Sequence, residues 1–271
     1  MTASRDWDAS TYDRVSCDVQ LVWALELLER LPLTGDEVVL DAGCGSGRVT
    51  ALLADRVPRG RVYGVDAAPS MVEHARSRMT RTRPNPGSPD AERAEGPRLG
   101  ERATILCQDL IKLDLPERVD VAFSNATFHW IHDHDALFDA LHRSLNPGGR
   151  LLAQCGGYGN IDEFRVLADD VAGEQPFAEY FADWRRPWNY ANAEDTTARL
   201  AAAGFNDVEC WLEPRPMTPE DGRAFVRTVC LVRHLDPLPE ELRDPFVDRV
   251  LGRCGRPLVL EYVRLNMTAV A

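Results

Sequence analysis

Along this chain the spacing of apolar positions alternates between short unbroken runs and helical intervals. Val19, Val22, Trp23, Leu27 and Leu31 recur at helical spacing until Pro32 ends the pattern. The runs GDEVVLDAG, RVYGVD, ATILCQD, VDVAFSN and GGRLLAQC predict strands, being short, apolar and rich in β-branched residues. Between them RVTALLADRV, APSMVEHARSRM and DHDALFDALHRSL have helical periodicity, and Pro69 with Ser70 suits a helix start. Strand runs that are apolar throughout, alternating with helices, predict βαβ units around a parallel sheet buried on both faces, over roughly Glu37 to Cys155.

Two regions depart from that alternation. RPNPGSPDAERAEGPRLG, residues 83–100, is dense in Pro, Gly and charge without periodicity, and is read as a flexible surface insertion, with a lid over the site as the alternative. Beyond Cys155 come a glycine cluster, a helix near Ile161 to Val171, and the aromatic stretch FAEYFADWRRPWNY. A further helix ends at AAAGF, where Gly204 suits a C-terminal cap. NDVECWL is expected as a strand, Thr218 to Cys254 as helices with proline-marked breaks, and PLVLEYVRLNMTAV as a long last strand.

Composition narrows the function. Thirty-one basic against 43 acidic residues leave a net charge of −12, which disfavours a sequence-independent grip on nucleic acid or anionic lipid and favours a small-molecule partner. Seven cysteines, an odd number with no C-x-x-C pair, read as buried thiols of a reducing compartment. The N-terminal residues lack a signal-peptide pattern and no long apolar run occurs, so a cytoplasmic protein without membrane contact is expected.

VVLDAGCGSGRVT is the most informative stretch. A strand reaches Asp41, glycines follow at positions 43, 45 and 47, and a helix begins, so backbone N–H groups can approach a ligand closely. The G-x-G-x-G spacing differs from the G-x-G-x-x-G of dinucleotide enzymes. Asp41 would repel a pyrophosphate but suits an ammonium or sulfonium ligand. The second strand ends in Asp66, placed to accept both hydroxyls of a ribose, and the third is followed by Asp109, which can accept from an adenine amino group. The plainer alternative is that Asp41 and Asp109 cap the helices that follow and Asp66 is a turn residue.

VVLDAGCGSG, VYGVDAAPSM, CQDL, SNATFHW and NPGGRLLAQ together resemble the class I S-adenosylmethionine-dependent methyltransferases over Val38 to Cys155. WDASTYDRV, NATFHWIHDH and PWNYANAEDT are similar to the trans-aconitate methyltransferase group and related carboxyl methyltransferases. The resemblance implies an α/β, Rossmann-like, seven-stranded, mostly parallel sheet with an antiparallel last strand, helices on both faces and a helical, aromatic cap. It implies a single domain over 1–271, with a cofactor-binding core at 37–155 and cap and acceptor elements at 1–33 and 156–256. S-adenosylmethionine would be the cofactor and S-adenosylhomocysteine the product. Asp41, Gly43, Gly45 and Gly47 would hold the methionine end, Asp66 the ribose, Asp109 and Leu110 the adenine. Met71 would pack on the adenine face and Asn125 would border the methionine moiety.

His129 and Trp130 follow the fourth strand end and are expected to face the methyl group. His129 has two candidate roles, general base or hydrogen-bond donor to an acceptor carboxylate. A carboxylate acceptor needs no base; O-, N- or C-methylation of a secondary-metabolite intermediate would need one. The cluster HWIHDHD also invites a metal reading, but a helix start sends its side chains in different directions, so no metal is expected. Tyr12, Trp130 and Trp188 are the aromatic candidates for ligand contact, and Arg186, with Arg14 and Arg185, the candidate carboxylate clamps. Weighed beside this are a non-catalytic cofactor-binding sensor and a nicotinamide oxidoreductase; the glycine spacing and Asp41 oppose the latter.

Overall fold

The computed structural model describes residues 17–81 and 99–271. Tyr12, Arg14 and residues 83–98 of the expected insertion lie outside them. Leu99 and Gly100, read as part of that insertion, instead begin a one-turn helix, Leu99–Arg102.

Seven strands are formed: β1 (Val38–Ala42), β2 (Arg61–Asp66), β3 (Ala103–Cys107), β4 (Val119–Asn125), β5 (Leu145–Gly156), β6 (Asn206–Pro214) and β7 (Val263–Val270). They join in one sheet of order β3-β2-β1-β4-β5-β7-β6. β1 to β5 pair in parallel, and β7 runs antiparallel to β5 and β6, as expected of the last strand. Strand order reverses between β1 and β4, and an open α/β sheet leaves a crevice at such a point, outside the carboxyl ends of the strands.

Side-chain alternation sorts the strands between two layers. Leu40 and Ala42 of β1 and Leu151 and Ala153 of β5 pack with Leu137, Phe138 and Leu141 of the helix His134–Ser144. On the opposite face Val39, Val121 and Phe123 meet Leu27 and Leu28 of the helix Cys17–Glu29 and Leu53 and Ala54 of Arg48–Arg56. Phe123 is completely buried, and burying one such ring stabilises by about 1.5–3 kcal/mol. A third apolar cluster lies outside the sheet. Phe164, Phe177, Phe246 and Tyr262 pack there with the helices Asp162–Ala172 and Glu240–Leu251 and Trp23 of the first helix, forming a cap.

Two expectations change. The last strand begins at Val263, not at Pro257: β5 ends at Gly156, whose partner is Arg264, so earlier residues have no β5 backbone to pair with. Leu260 instead exchanges both backbone hydrogen bonds with Met217, at 2.8 and 3.0 Å. Pro245, read as a helix break, lies inside Glu240–Leu251. The acceptor it leaves unused is the carbonyl of Glu241, an exposed residue in the first turn, where water can take over the bond. Among the described residues no helix is long and apolar enough to cross a membrane.

Candidate active site

The strand-end aspartates differ in how they are held. Asp41 is 2% exposed and accepts a 2.6 Å hydrogen bond from Thr50 Oγ1, not a helix-capping N–H. Burial pushes its carboxyl up to about 7, and the nearby Asp66 charge adds to the rise. Asp66 Oδ2 accepts from the Gly45 N–H at 3.0 Å and Oδ1 from the Ala68 N–H at 2.9 Å. Its orientation is therefore fixed by the very loop it faces. Burial raises this carboxyl too, against the lowering effect of those amides. Asp109 is exposed and caps the short 3-10 turn Leu110–Lys112 through the Ile111 N–H, so here the plainer alternative is what the geometry contains. Met71 and Leu110 are buried beside these strand ends.

The three glycines of the loop all take positive φ, between 52° and 81°, but for different reasons. A Cβ on Gly43 would lie 2.1 Å from Thr127 Oγ1, because the β1 and β4 loops touch there; Thr127 Oγ1 donates to the Gly43 carbonyl at 3.2 Å. A Cβ on Gly47 would stand 2.9 Å from Ala75. One on Gly45 would meet nothing within 4 Å. The outer glycines serve packing, while the middle one borders open space. Among the described residues neither Asp41 nor Asp66 forms an ion pair. Two coupled carboxylates without a cation, beside an open glycine cradle, fit a ligand that carries positive charge and hydroxyls, as S-adenosylmethionine does.

Beyond β4 the chain bends at Ala126, whose φ of 58° is left-handed, and the short 3-10 turn Phe128–Trp130 follows. The bend delivers His129 and Trp130 to a cleft of about 620 Å³, partly open to solvent. Trp188 and Tyr190 form one wall, their rings stacked with an interplanar angle of 7°. Trp23, Phe225 and Tyr262 form another, and Arg264 of β7 enters from the sheet.

His129 is well defined. The Gly156 N–H donates to its Nδ1 at 3.3 Å, so the neutral ring carries its proton on Nε2. Burial, with Arg264 as the next cause, pushes its pKa down to about 3. At neutral pH the ring is an uncharged donor whose one lone pair is already taken. The other histidines of HWIHDHD part company: His132 is exposed, whereas His134 is buried, with Nε2 at 3.0 Å from the Phe128 carbonyl. Asp133 caps the following helix through the Ala136 N–H.

The expected clamp Arg186 is not on the cleft wall. It is exposed and paired to Asp169, whose other oxygen faces His234 Nε2, so its charge is used to fasten the cap. Arg185 is exposed as well. Arg264, which sequence reasoning missed, is 3% exposed; its Nε donates to Gln154 Oε1 at 3.1 Å and its guanidinium lies 4.7 Å from the Trp23 ring centre. Gln154 Nε2 in turn donates to Asn266 Oδ1 at 2.8 Å. The signal was available in the last strand, where Arg264 and Asn266 alternate with Leu265 and Met267: two polar residues on one face of a strand otherwise built for burial.

Comparison with known proteins agrees with the fold. The sequence profile of the family described as Methyltransferase domain matches residues 40–153. A trans-aconitate 2-methyltransferase of Methylobacterium nodulans is 31% identical over 259 residues, 90% of this chain and 87% of that protein. One from Escherichia coli is 34% identical over 174 residues, 64% of this chain and 60% of that protein. Phosphoethanolamine N-methyltransferase 2 of Haemonchus contortus, solved with phosphomonomethylethanolamine and S-adenosylhomocysteine, superposes with a TM-score of 0.61 at 20% identity, over 99% of this chain and 58% of that one.

Proposed function

The chain belongs to the class I S-adenosylmethionine-dependent methyltransferases, among relatives of the trans-aconitate 2-methyltransferases, and from that premise we propose that it methylates a carboxylate oxygen of a small organic acid. Of the described residues, 37–81 and 99–155 form the cofactor core, and 17–33 with 156–256 the cap and acceptor elements, to which Tyr262 and Arg264 of the chain's last segment are added. The loop Gly43, Gly45, Gly47 with Asp41 and Asn125 takes the methionine end of the cofactor, Asp66 the ribose, and Met71, Asp109 and Leu110 the adenine. When bound, the cofactor supplies a methyl group on a sulfonium sulfur; the acceptor oxygen's lone pair forms the new C–O bond, the S–C pair returns to sulfur, and no proton is released.

The observation that carries the carboxylate reading is the state of His129. A base needs a free lone pair and a pKa near the working pH. This ring has its Nδ1 occupied by the Gly156 N–H and a pKa pushed down to about 3. It serves instead as an Nε2–H donor to one acceptor oxygen, while Trp130 and Trp188 exclude water. A carboxylate is ionised at neutral pH, so orientation is what remains for the protein to provide, an effect worth up to about 7–11 kcal/mol in favourable systems.

The test is a methyl-transfer screen over carboxylic acids, phenols, amines and carbon acids, with products identified by mass spectrometry. The expected product is a methyl ester, formed with a kcat at saturating cofactor that is flat from pH 6.5 to 9 within roughly twofold. His129→Gln, which keeps a donor, is expected to retain about a tenth of the rate or more, whereas loss of a base costs about 10²–10⁴-fold. Turnover only on a phenol, amine or carbon acid, with a rate rising through an ionisation, would replace this reading by base-assisted methylation.

A further inference from the structure

We propose that Tyr190 is a positioning residue for the reaction: its ring fixes the plane of the His129 imidazole and shields it from water, keeping the Nε2–H turned to the acceptor. This rests on the reading of His129 as a donor and names the group that keeps it one. The imidazole and the phenol ring are stacked, with 5.6 Å between centres and 29° between planes. Both belong to the cleft lining. Among the described residues, the hydrogen bond that holds the imidazole is that of the Gly156 N–H to Nδ1, at 3.3 Å. One bond leaves the ring able to tilt about it, and a stacked neighbour removes that freedom. A donor that tilts misplaces the acceptor oxygen against the S–CH₃ bond, where an error of about 1 Å can cost about 10²-fold in rate.

Tyr190 is itself placed by the two segments that build the His129 site. The N–H of Asn189, the residue before it, donates to the His129 carbonyl at 2.8 Å, and Asn189 Nδ2 donates to the His132 carbonyl at 3.1 Å. The carbonyl of Ala191, the residue after it, accepts from the Tyr158 N–H at 2.9 Å, just beyond β5. Gly156 makes room, for a Cβ there would lie 2.7 Å from Tyr190 Cε1. The same glycine thus supplies the N–H that sets the His129 tautomer and the gap in which the phenol lies.

The electrostatics are those of a shielded ring. Burial is the main cause of the low His129 pKa, about 3, ahead of Arg264 of β7 and then His134. An aromatic face by itself favours an imidazolium, so Tyr190 acts here by keeping water away. Burial also raises the Tyr190 hydroxyl, which therefore stays neutral, as does the Cys155 thiol of β5, pushed up to about 12. Arg165, paired with Asp162, lies 5.0 Å from the Tyr190 ring centre.

The experiment is NMR of the full chain, labelled with heavy nitrogen at histidine and bound to S-adenosylhomocysteine, over roughly pH 5 to 8. The signals lost in His129→Gln assign His129 among the six histidines. In the wild type, His129 is expected as a single neutral Nε2–H tautomer that does not titrate in this range, its ring protons shifted upfield by the stacked phenol. Tyr190→Leu should mix the tautomers and raise the His129 titration by about two pH units or more, and Tyr190→Phe should keep the wild-type signals. Gly156→Ala retains the N–H but wedges the phenol aside, and should loosen the imidazole in the same direction. The Kd of S-adenosylhomocysteine is expected to stay within about twofold in all three. His129 signals in Tyr190→Leu identical to the wild type overturn the proposal and leave the donor reading standing. Should that variant fail to fold, wild-type His129 ring protons without the upfield shift overturn it equally. A wild-type His129 that carries its proton on Nδ1, or titrates within the range, overturns the donor reading as well.

Discussion

The proposed cofactor side draws on residues between Asp41 and Asn125, all at or just beyond strand ends except Met71, which lies in the first turn of the helix Pro69–Arg81. The cleft proposed for the acceptor is lined by Trp23, His129, Trp188, Cys230 and Arg264, among others, from five separate segments spread over most of the chain. Among the described residues, the first is made of backbone amides and carboxylates, the second chiefly of aromatic rings with the guanidinium of Arg264. A ligand common to a whole class of enzymes is met by groups that the sheet itself positions. The variable partner is met by a cap whose residues are free to change without disturbing the strands.

Gly43 gives the largest way to break that division. Gly43→Val places a branched side chain at φ 81° and into Thr127, whose Oγ1 stands 2.1 Å from the Cβ position. Left-handed backbone alone costs about 1–2 kcal/mol for a non-glycine residue, and the overlap comes on top. Expected is a fall in melting temperature together with loss of cofactor binding, measured by calorimetry. A protein that kept wild-type cofactor affinity would show that the loop can move aside.

Asp66→Ala comes next and should separate the halves more cleanly. It removes the acceptor of the Gly45 and Ala68 N–H groups and the proposed partner of the ribose hydroxyls. Charge-assisted hydrogen bonds are worth about 1.5–3 kcal/mol each, so losing one or both is expected to raise cofactor Kd by roughly 10–10,000-fold. The fold should survive, because Asp66 lies at the open end of β2 and not in its packed interior. Unchanged cofactor affinity would mean that Asp66 serves only the turn.

These contrasts explain what could be read from the residues. The parallel sheet was legible because βαβ units write strand and helix periods in alternation, and the glycine loop because each of its positions obeys a local rule. For Arg264 the sequence carried only the polar alternation with Asn266 in a buried strand, which gives no place in a site; it becomes a cleft residue when β7 inserts beside β5 and brings it opposite Gly156. Arg186 misled for the converse reason. It stands within an aromatic stretch beside Trp188, yet Asp169, 17 residues away, holds it on the outside of the cap. The state of His129 was equally hidden, since its tautomer depends on a backbone N–H 27 residues further on.

Gln154 sharpens the comparison from the acceptor side, with a smaller effect. It joins Asn266 to Arg264 through bonds of 2.8 and 3.1 Å and is itself buried, so it acts as a positioning residue for the guanidinium. Gln154→Leu leaves buried polar groups without that partner, at about 1–3 kcal/mol in stability. Acceptor KM is expected to rise by roughly tenfold while cofactor Kd stays within about twofold. A variant that lost stability but kept its acceptor KM would assign Gln154 to the fold alone.

The smallest expected effect is a pH dependence confined to the cofactor side. Asp41 has its carboxyl pushed up to about 7 from an ordinary 3.8, chiefly by burial and then by Asp66. A raised carboxyl stabilises the folded apoprotein in full below the ordinary value and progressively less as pH rises through 7, so apoprotein stability from this group should fall across that window. A cationic ligand reverses the preference, because it favours the ionised form and must displace a proton below pH 7. Cofactor affinity is therefore expected to weaken by about tenfold between pH 8 and 6, with close to one proton released at pH 6. Calorimetric titration in two buffers of different ionisation enthalpy counts that proton directly. Asp41→Asn should flatten the profile, whereas an unchanged proton count in the variant would move the titration to Asp66, the other carboxyl that burial raises.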